Sequence, residues 1–322
     1  MKRSIEALVI VPMLLTIVAM AIVGVCGIAR AEPVQQFAFR LTSPNPDDVA
    51  VRVLLRRFDT TGAVPPTPTE LFMRFPRGAG LNRAFLTSRY FCDGRALRDA
   101  LDARPSGTSF NTRVAHLDAF VRELARSHAK RDRAALVNAR ACERGRLGGG
   151  TGLIDARDAI AVLTDPIPFG FSMFLSRGTL PGAIGGITIL AAADEGAPIV
   201  RRYPVVAGVH AVETENLIPD PTTDGLYGLK LVIHTGPING FQVSLAEVDA
   251  HVHSLVLHRG ECLARGRGNR CVRRQRADAT LFNVPSCPAS GHYSAELQTT
   301  YAPPVPSATT TLAVPCPRYY AS

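Results

Sequence analysis

Apolar side chains recur at every second position along most of this chain: Phe37, Phe39 and Leu41, then Val49, Val51, Val53 and Leu55, then Leu71, Met73 and Phe75. A period of two turns alternate side chains to opposite faces of an extended segment, so each run predicts a strand with one face against a core. The period returns in Phe169, Phe171, Met173 and Leu175, in Ile187, Ile189 and Ala191, and in Leu229, Leu231 and Ile233. It returns again in Val248, Ala250 and Val252 and in Tyr293, Ala295 and Leu297. Proline and glycine punctuate these runs at Pro65-Pro66, Asp165-Pro166-Ile167-Pro168, Asn239-Gly240 and Pro303-Pro304. Many short strands divided by such turns predict an all-β fold, an antiparallel β-sandwich of jelly-roll-like or immunoglobulin-like form.

One region departs from the period of two. Between Asp93 and about Arg146, Leu97 and Leu101, then Val114, Leu117, Phe120, Val121 and Leu124, recur at helical spacing among Arg, Asp, Glu and Ala. This predicts a helical insertion at about 93–146, interrupted at Pro105-Ser106-Gly107. There is no internal repeat, and the Pro/Thr/Ser-rich stretch Thr299–Thr311 is expected as an exposed loop near the last strand.

The amino end changes the picture of where this domain works. Lys2 and Arg3 precede an apolar run from Ala7 to Ile28, closed by Ala29-Arg30-Ala31. That layout is a secretory signal cleaved after Ala31, or, since the run approaches the ~20 apolar residues that cross a bilayer, an uncleaved anchor. Val25 stands where lipoprotein processing at Cys26 would need a small residue. Residues 32–322 then form one β-sandwich domain, long enough to bury a full core. Six cysteines remain: Cys92, Cys142, Cys262, Cys271, Cys287 and Cys316. An even set in an exported chain reads as disulfides; six allow 15 pairings, of which order along the chain favours 92–142, 262–271 and 287–316. No closely spaced CxxC pair suggests thiolate-bound zinc.

The charge is basic, 36 Lys plus Arg against 27 Asp plus Glu, and cleavage would leave 33 against 26. Lysine occurs only at 2, 130 and 230, so the positive charge is arginine, suited to anionic envelope polymers or a membrane surface, or simply the mark of a high-GC coding bias.

Together these residues carry a resemblance. Cys92, the run Cys142-Glu143-Arg144-Gly145-Arg146-Leu147-Gly148-Gly149-Gly150-Thr151-Gly152, then Asn283-Val284-Pro285-Ser286-Cys287-Pro288-Ala289-Ser290-Gly291 and a terminal Pro315-Cys316-Pro317-Arg318 follow in order. The chain resembles, over about residues 49–318, a group of uncharacterised secreted bacterial β-sandwich proteins found in high-GC Gram-positive bacteria. It departs from them in a longer helical excursion and in the extra pair Cys262 and Cys271. The resemblance implies export and a sandwich, and no catalytic residue.

Candidate chemistry is sparse. Glu247, Asp249, His251 and His253 share one strand face, and a His-x-His pair can hold a divalent metal when a neighbouring strand supplies a third ligand. Asp249, His251 and His253 are therefore metal candidates, against the simpler reading of a solvated face opposite Val248, Ala250 and Val252. A cupin would place a carboxylate where Leu257 and His258 stand. Gly170-Phe171-Ser172-Met173-Phe174 lacks the second glycine of a nucleophile elbow, and the glycines at 148–152 lack the Lys-Ser/Thr of a phosphate loop and read as a turn leading into a strand. Arg265, Arg267, Arg270, Arg273, Arg274 and Arg276 surround the pair Cys262 and Cys271, a candidate anion-binding loop or a solvated hairpin. No aromatic residues interleave with them, which argues against nucleic acid. No cofactor is implied, and nothing sets an oligomeric state. The sequence thus reads as an exported non-enzymatic envelope or extracellular protein, structural or ligand-binding, with a metal-assisted or carboxylate-based envelope hydrolase as the alternative.

Overall fold

The computed structural model describes residues 33–316 apart from 46–47, 60–61, 83–84, 86–88, 103–132, 195, 204–209, 222–223, 238–242, 254, 258, 266–269, 275, 277–278 and 284–285. The expected signal segment and the apolar positions from Val114 to Leu124 lie outside these residues. Among the described residues seventeen strands follow in chain order: β1 Pro33–Asn45, β2 Asp48–Asp59, β3 Glu70–Pro76, β4 Gly80–Leu81, β5 Arg146–Asp155, β6 Ile167–Ser176, β7 Gly185–Ala193, β8 His210–Pro219 and β9 Tyr227–Ile233. They continue as β10 Ser244–His253, β11 Val256–Leu257, β12 Cys262–Arg265, β13 Cys271–Arg274, β14 Ala279–Thr280, β15 Phe282–Asn283, β16 His292–Thr300 and β17 Ala308–Pro315. Three helices accompany them among the described residues, α1 Gly94–Asp102, α2 Arg133–Arg144 and α3 Pro198–Arg202.

The all-β expectation holds, and most of the described strands form one large sheet, beside three two-stranded ones. Eleven of them run β1-β2-β10-β5-β6-β7-β8-β9-β3-β16-β17, and every ladder between them is antiparallel. The sheet curls until its edges nearly meet. Across the seam Gln35 on β1 donates from Nε2 to Leu297 O at 3.3 Å and Thr310 Oγ1 at 3.1 Å, and Thr299 Oγ1 donates back to Gln35 Oε1.

Alternation decides which side of this sheet each residue meets. Leu55, Leu71, Met73, Phe169, Phe171, Met173, Leu229, Ala250 and Leu297 are buried on the concave side, as the period of two requires. Their neighbours outside are charged: Arg52 pairs with Asp249 at 2.6 Å and Arg56 with Glu247 at 3.0 Å. Over β6, β7 and β8 the outer side is covered too. There Phe174, Leu190, Ala192 and Val212 pack against Leu97, Leu101, Cys92 and Cys142. Helix α1 starts where Asp93 Oδ1 accepts the Ala96 N–H at 3.1 Å, satisfying a donor the first turn leaves free. Asn138 of α2 holds Asp93 by its N–H and its carbonyl.

All three cysteine pairings favoured by chain order are present: Cys92–Cys142, Cys262–Cys271 and Cys287–Cys316. The first brackets the segment that holds α1 and α2, and β5 opens at Arg146 just beyond it. The glycines at 148–152 are accordingly not a turn. They sit within β5, where Gly148 pairs with Val252, Gly150 with Ala250 and Gly152 with Val248. A Cβ on Gly150 would fall 2.0 Å from Asp249 O and 2.8 Å from Phe171 Cζ, and one on Gly152 would fall 2.6 Å from Phe169 Cζ. Glycine lets two phenyl rings lie on the strand itself. The Thr299–Thr311 stretch is shorter as a loop than expected, since Thr299 and Thr300 end β16 and Thr309–Thr311 belong to β17.

Further residues pack at the two ends of the curled sheet. At one, Phe85, Tyr90, Leu81 and Leu281 join the concave core, and β4 pairs with β15. At the other lies Arg57, 2% exposed, which donates to Pro66 O, Leu245 O and the Tyr301 hydroxyl. It ties the connection before β3 to the starts of β10 and the loop after β16.

Candidate functional site

Inside the sheet remains an apolar cavity of about 280 Å³, lined among others by Phe39, Val53, Met73, Phe171, Ile189, Leu231 and Val248. Its polar lining gathers at one end, at Glu213 and Glu215 of β8 and at His234, Thr235 and Gly236 just after β9.

Register explains how carboxylates come to face an apolar interior. On β8 the residues Ala211, Glu213, Glu215 and Leu217 share the concave face, opposite Ala191, Ile189, Ile187 and Gly185 of β7. The β8–β9 ladder runs only from Asn216 opposite Val232 to Pro219 opposite Leu229. Past its end the Glu215 side chain takes over the role of a backbone carbonyl: Oε2 accepts the His234 N–H at 2.5 Å. The Glu215 residue is 4% exposed. Burial, and secondarily the neighbouring Glu213 carboxylate, push its pKa up to about 8, although the His234 N–H works in the opposite direction. Glu213 is less enclosed. Its Oε1 accepts from Arg98 Nη2 of α1 at 3.1 Å, and its side chain is 32% exposed, so it marks where the cavity meets the surface.

The residues expected to carry chemistry lie elsewhere. Asp249, His251 and His253 point outward from β10. There His251 and His253 border an open groove with Arg146, Leu147 and the backbone of Gly148–Gly150. Arg52 holds both Asp249 oxygens and depresses that carboxylate's pKa below its ordinary range. His251 Nε2 stands 3.6 Å from Asp249 Oδ1. Among the described residues no group of three or more His, Cys, Asp or Glu could hold a metal ion.

Of the arginine cluster, Arg270, Arg273, Arg274 and Arg276 are exposed, on and beside the β12–β13 hairpin that Cys262–Cys271 pins. Arg274 Nη1 donates to Gly260 O at 2.9 Å. Arg265 lies in β12, and Arg267 is outside the described residues.

Glu213 and Glu215 were not legible as site residues. The signal was present in the alternation Ala211, Glu213, Glu215, Leu217, but the opposite face, Val212, Thr214 and Asn216, is equally mixed. Only the covering of Val212 by α1 shows which face turns inward.

Comparison of the chain with protein-family models, with curated proteins and with solved structures finds no match.

Proposed function

We propose that this is an exported, non-enzymatic binding protein whose curled sheet works as a β-barrel and holds one small apolar molecule in its interior. The cavity is the observation that carries this reading. Interiors of folded proteins are close-packed, and a void costs contact energy unless something fills it. An engineered apolar cavity of roughly 150 Å³ takes up benzene, and ligand pockets begin near 300 Å³, so 280 Å³ suits a small lipophile. Closed sheets of this size commonly enclose a ligand, whereas a flattened sandwich fills its interior with side chains. Three disulfides agree with an oxidising compartment outside the cytoplasm.

The test uses N-phenyl-1-naphthylamine, a neutral dye that fluoresces in apolar surroundings. Saturable enhancement with the wild type, lost in Ala191→Phe, which fills the cavity from β7, is expected. No saturable enhancement, or equal enhancement in the filled variant, overturns it.

A second reading concerns the partner. Four exposed arginines on and beside a disulfide-pinned hairpin support docking to anionic envelope polymers or to a membrane surface, since a fixed loop loses little freedom on binding.

A further inference from the structure

The cavity's polar end is chemically lopsided. Thr67 Oγ1 donates to Val243 O at 3.4 Å and Thr235 Oγ1 to Thr69 O at 3.2 Å, so these hydroxyls spend their protons within the protein. Glu213 is drawn outward to Arg98. Glu215 is different: it is almost fully buried, it lines the cavity, and His234 N–H satisfies one of its oxygens. Among the described residues nothing hydrogen-bonds to the other oxygen. A partner in the cavity would give that oxygen a hydrogen bond, a net gain of about 1 kcal/mol.

We propose that Glu215 recognises the head group of the bound molecule, and that this ligand is an apolar chain or ring system ending in a neutral oxygen acceptor, a carbonyl or a hydroxyl, held by a hydrogen bond from the Glu215 carboxyl. The inference rests on the binding reading above and adds the ligand's class. The charged and titratable groups around Glu215 are Glu213 beside it on β8, His234 beyond β9 and, through Glu213, Arg98 of α1. Among the described residues no cation touches it, and Ile187 faces it from β7. Burial in these surroundings keeps the carboxyl protonated at neutral pH, its pKa near 8. One oxygen then accepts from His234 and the hydroxyl of the other donates into the cavity. A ligand offering only an acceptor completes this arrangement. A primary amine would instead require the carboxyl to ionise, which burial and Glu213 both oppose.

Three ten-carbon probes separate the alternatives by displacing N-phenyl-1-naphthylamine: decane, decan-2-one and decylamine, each at pH 6 and pH 9. In the wild type decan-2-one should bind roughly tenfold tighter than decane at pH 6, the worth of one buried hydrogen bond. That advantage should fall about tenfold by pH 9, where ionised Glu215 has no proton to donate. Glu215→Gln keeps an acceptor for His234 and a donor for the ketone, so it should retain the advantage at both pH values, while Glu215→Leu should lose it. If decane and decan-2-one displace the dye equally, the head-group role fails and the apolar cavity stands. If decylamine binds tighter as pH rises and this is lost in Glu215→Gln, the ligand is a cation and the proposal is overturned. If the dye itself shows no saturable binding, both this inference and the binding reading fall.

Discussion

Replacing Glu215 by Gln should change the pH dependence of stability more than it changes stability at acid pH. In the folded protein the carboxyl's pKa lies near 8, against an ordinary 4.5. A carboxyl that holds its proton more tightly when folded contributes fully below the unfolded pKa. That contribution is lost as pH rises through the folded value, because the unfolded chain can ionise while the folded chain resists. The wild type should therefore weaken between about pH 4.5 and pH 8. Each unit of that interval is worth about 1.4 kcal/mol, which sets a ceiling of about 5 kcal/mol for this one residue. Glutamine is the same size, accepts the His234 N–H through its carbonyl and never ionises. Thermal melts of both proteins from pH 5 to pH 9 provide the assay. At roughly 2–4 °C per kcal/mol for a chain of this length, the Tm of Glu215→Gln relative to wild type should climb by on the order of 10 °C across the range. Titrating groups that do not interact with Glu215 are common to both proteins and cancel in the difference. Parallel profiles would refute the reasoning, since they would mean that Glu215 ionises freely and is not enclosed.

Two further outcomes follow from the geometry. Gly150→Ala should cost about 3 kcal/mol in urea unfolding because its Cβ meets Asp249 O and the Phe171 ring. Gly80→Ala, with nothing within 4 Å of the added carbon, should stay within about 0.5 kcal/mol, and equal costs at the two positions would contradict the close approach of β5. Wild type should sediment with anionic liposomes more than a variant with Arg270, Arg273 and Arg274 changed to Ala, and the difference should vanish at high salt, since exposed charges are screened within roughly 8 Å at physiological ionic strength. Equal retention of the two at low salt returns the hairpin to a merely solvated role.

The strands that could be read from the sequence are those whose two faces differ. Val51, Val53 and Leu55 alternate with Arg52 and Arg56, and that contrast identifies β2 without any knowledge of its neighbours. Strand β5 escaped because glycines carry no side chain to alternate, and their reason for being there, the rings of Phe169 and Phe171, belongs to another strand. Strand β8 escaped because helix α1 covers its outer face, so Val212 is as buried as Leu217 and the contrast disappears. The cysteine pairs were readable since each joins cysteines that follow one another along the chain. The cavity's polar end was not, because Glu215 and His234 meet only where the β8–β9 ladder stops, and ladder length is a property of the pair. The outward histidines drew notice through their spacing, yet their strand turns them away from the interior.

The seam between β1 and β17 also bears on how the chain reaches its native state. Gln35 meets Leu297 and Thr310, partners 262 and 275 residues further along, so the wall can close only after nearly all of the domain is present. Contacts so distant in sequence make folding slow. Until then both outer strands carry open backbone donors and acceptors that can recruit a second chain. During this interval the two open edges, rather than the finished core, decide whether one copy meets another before its own wall has closed.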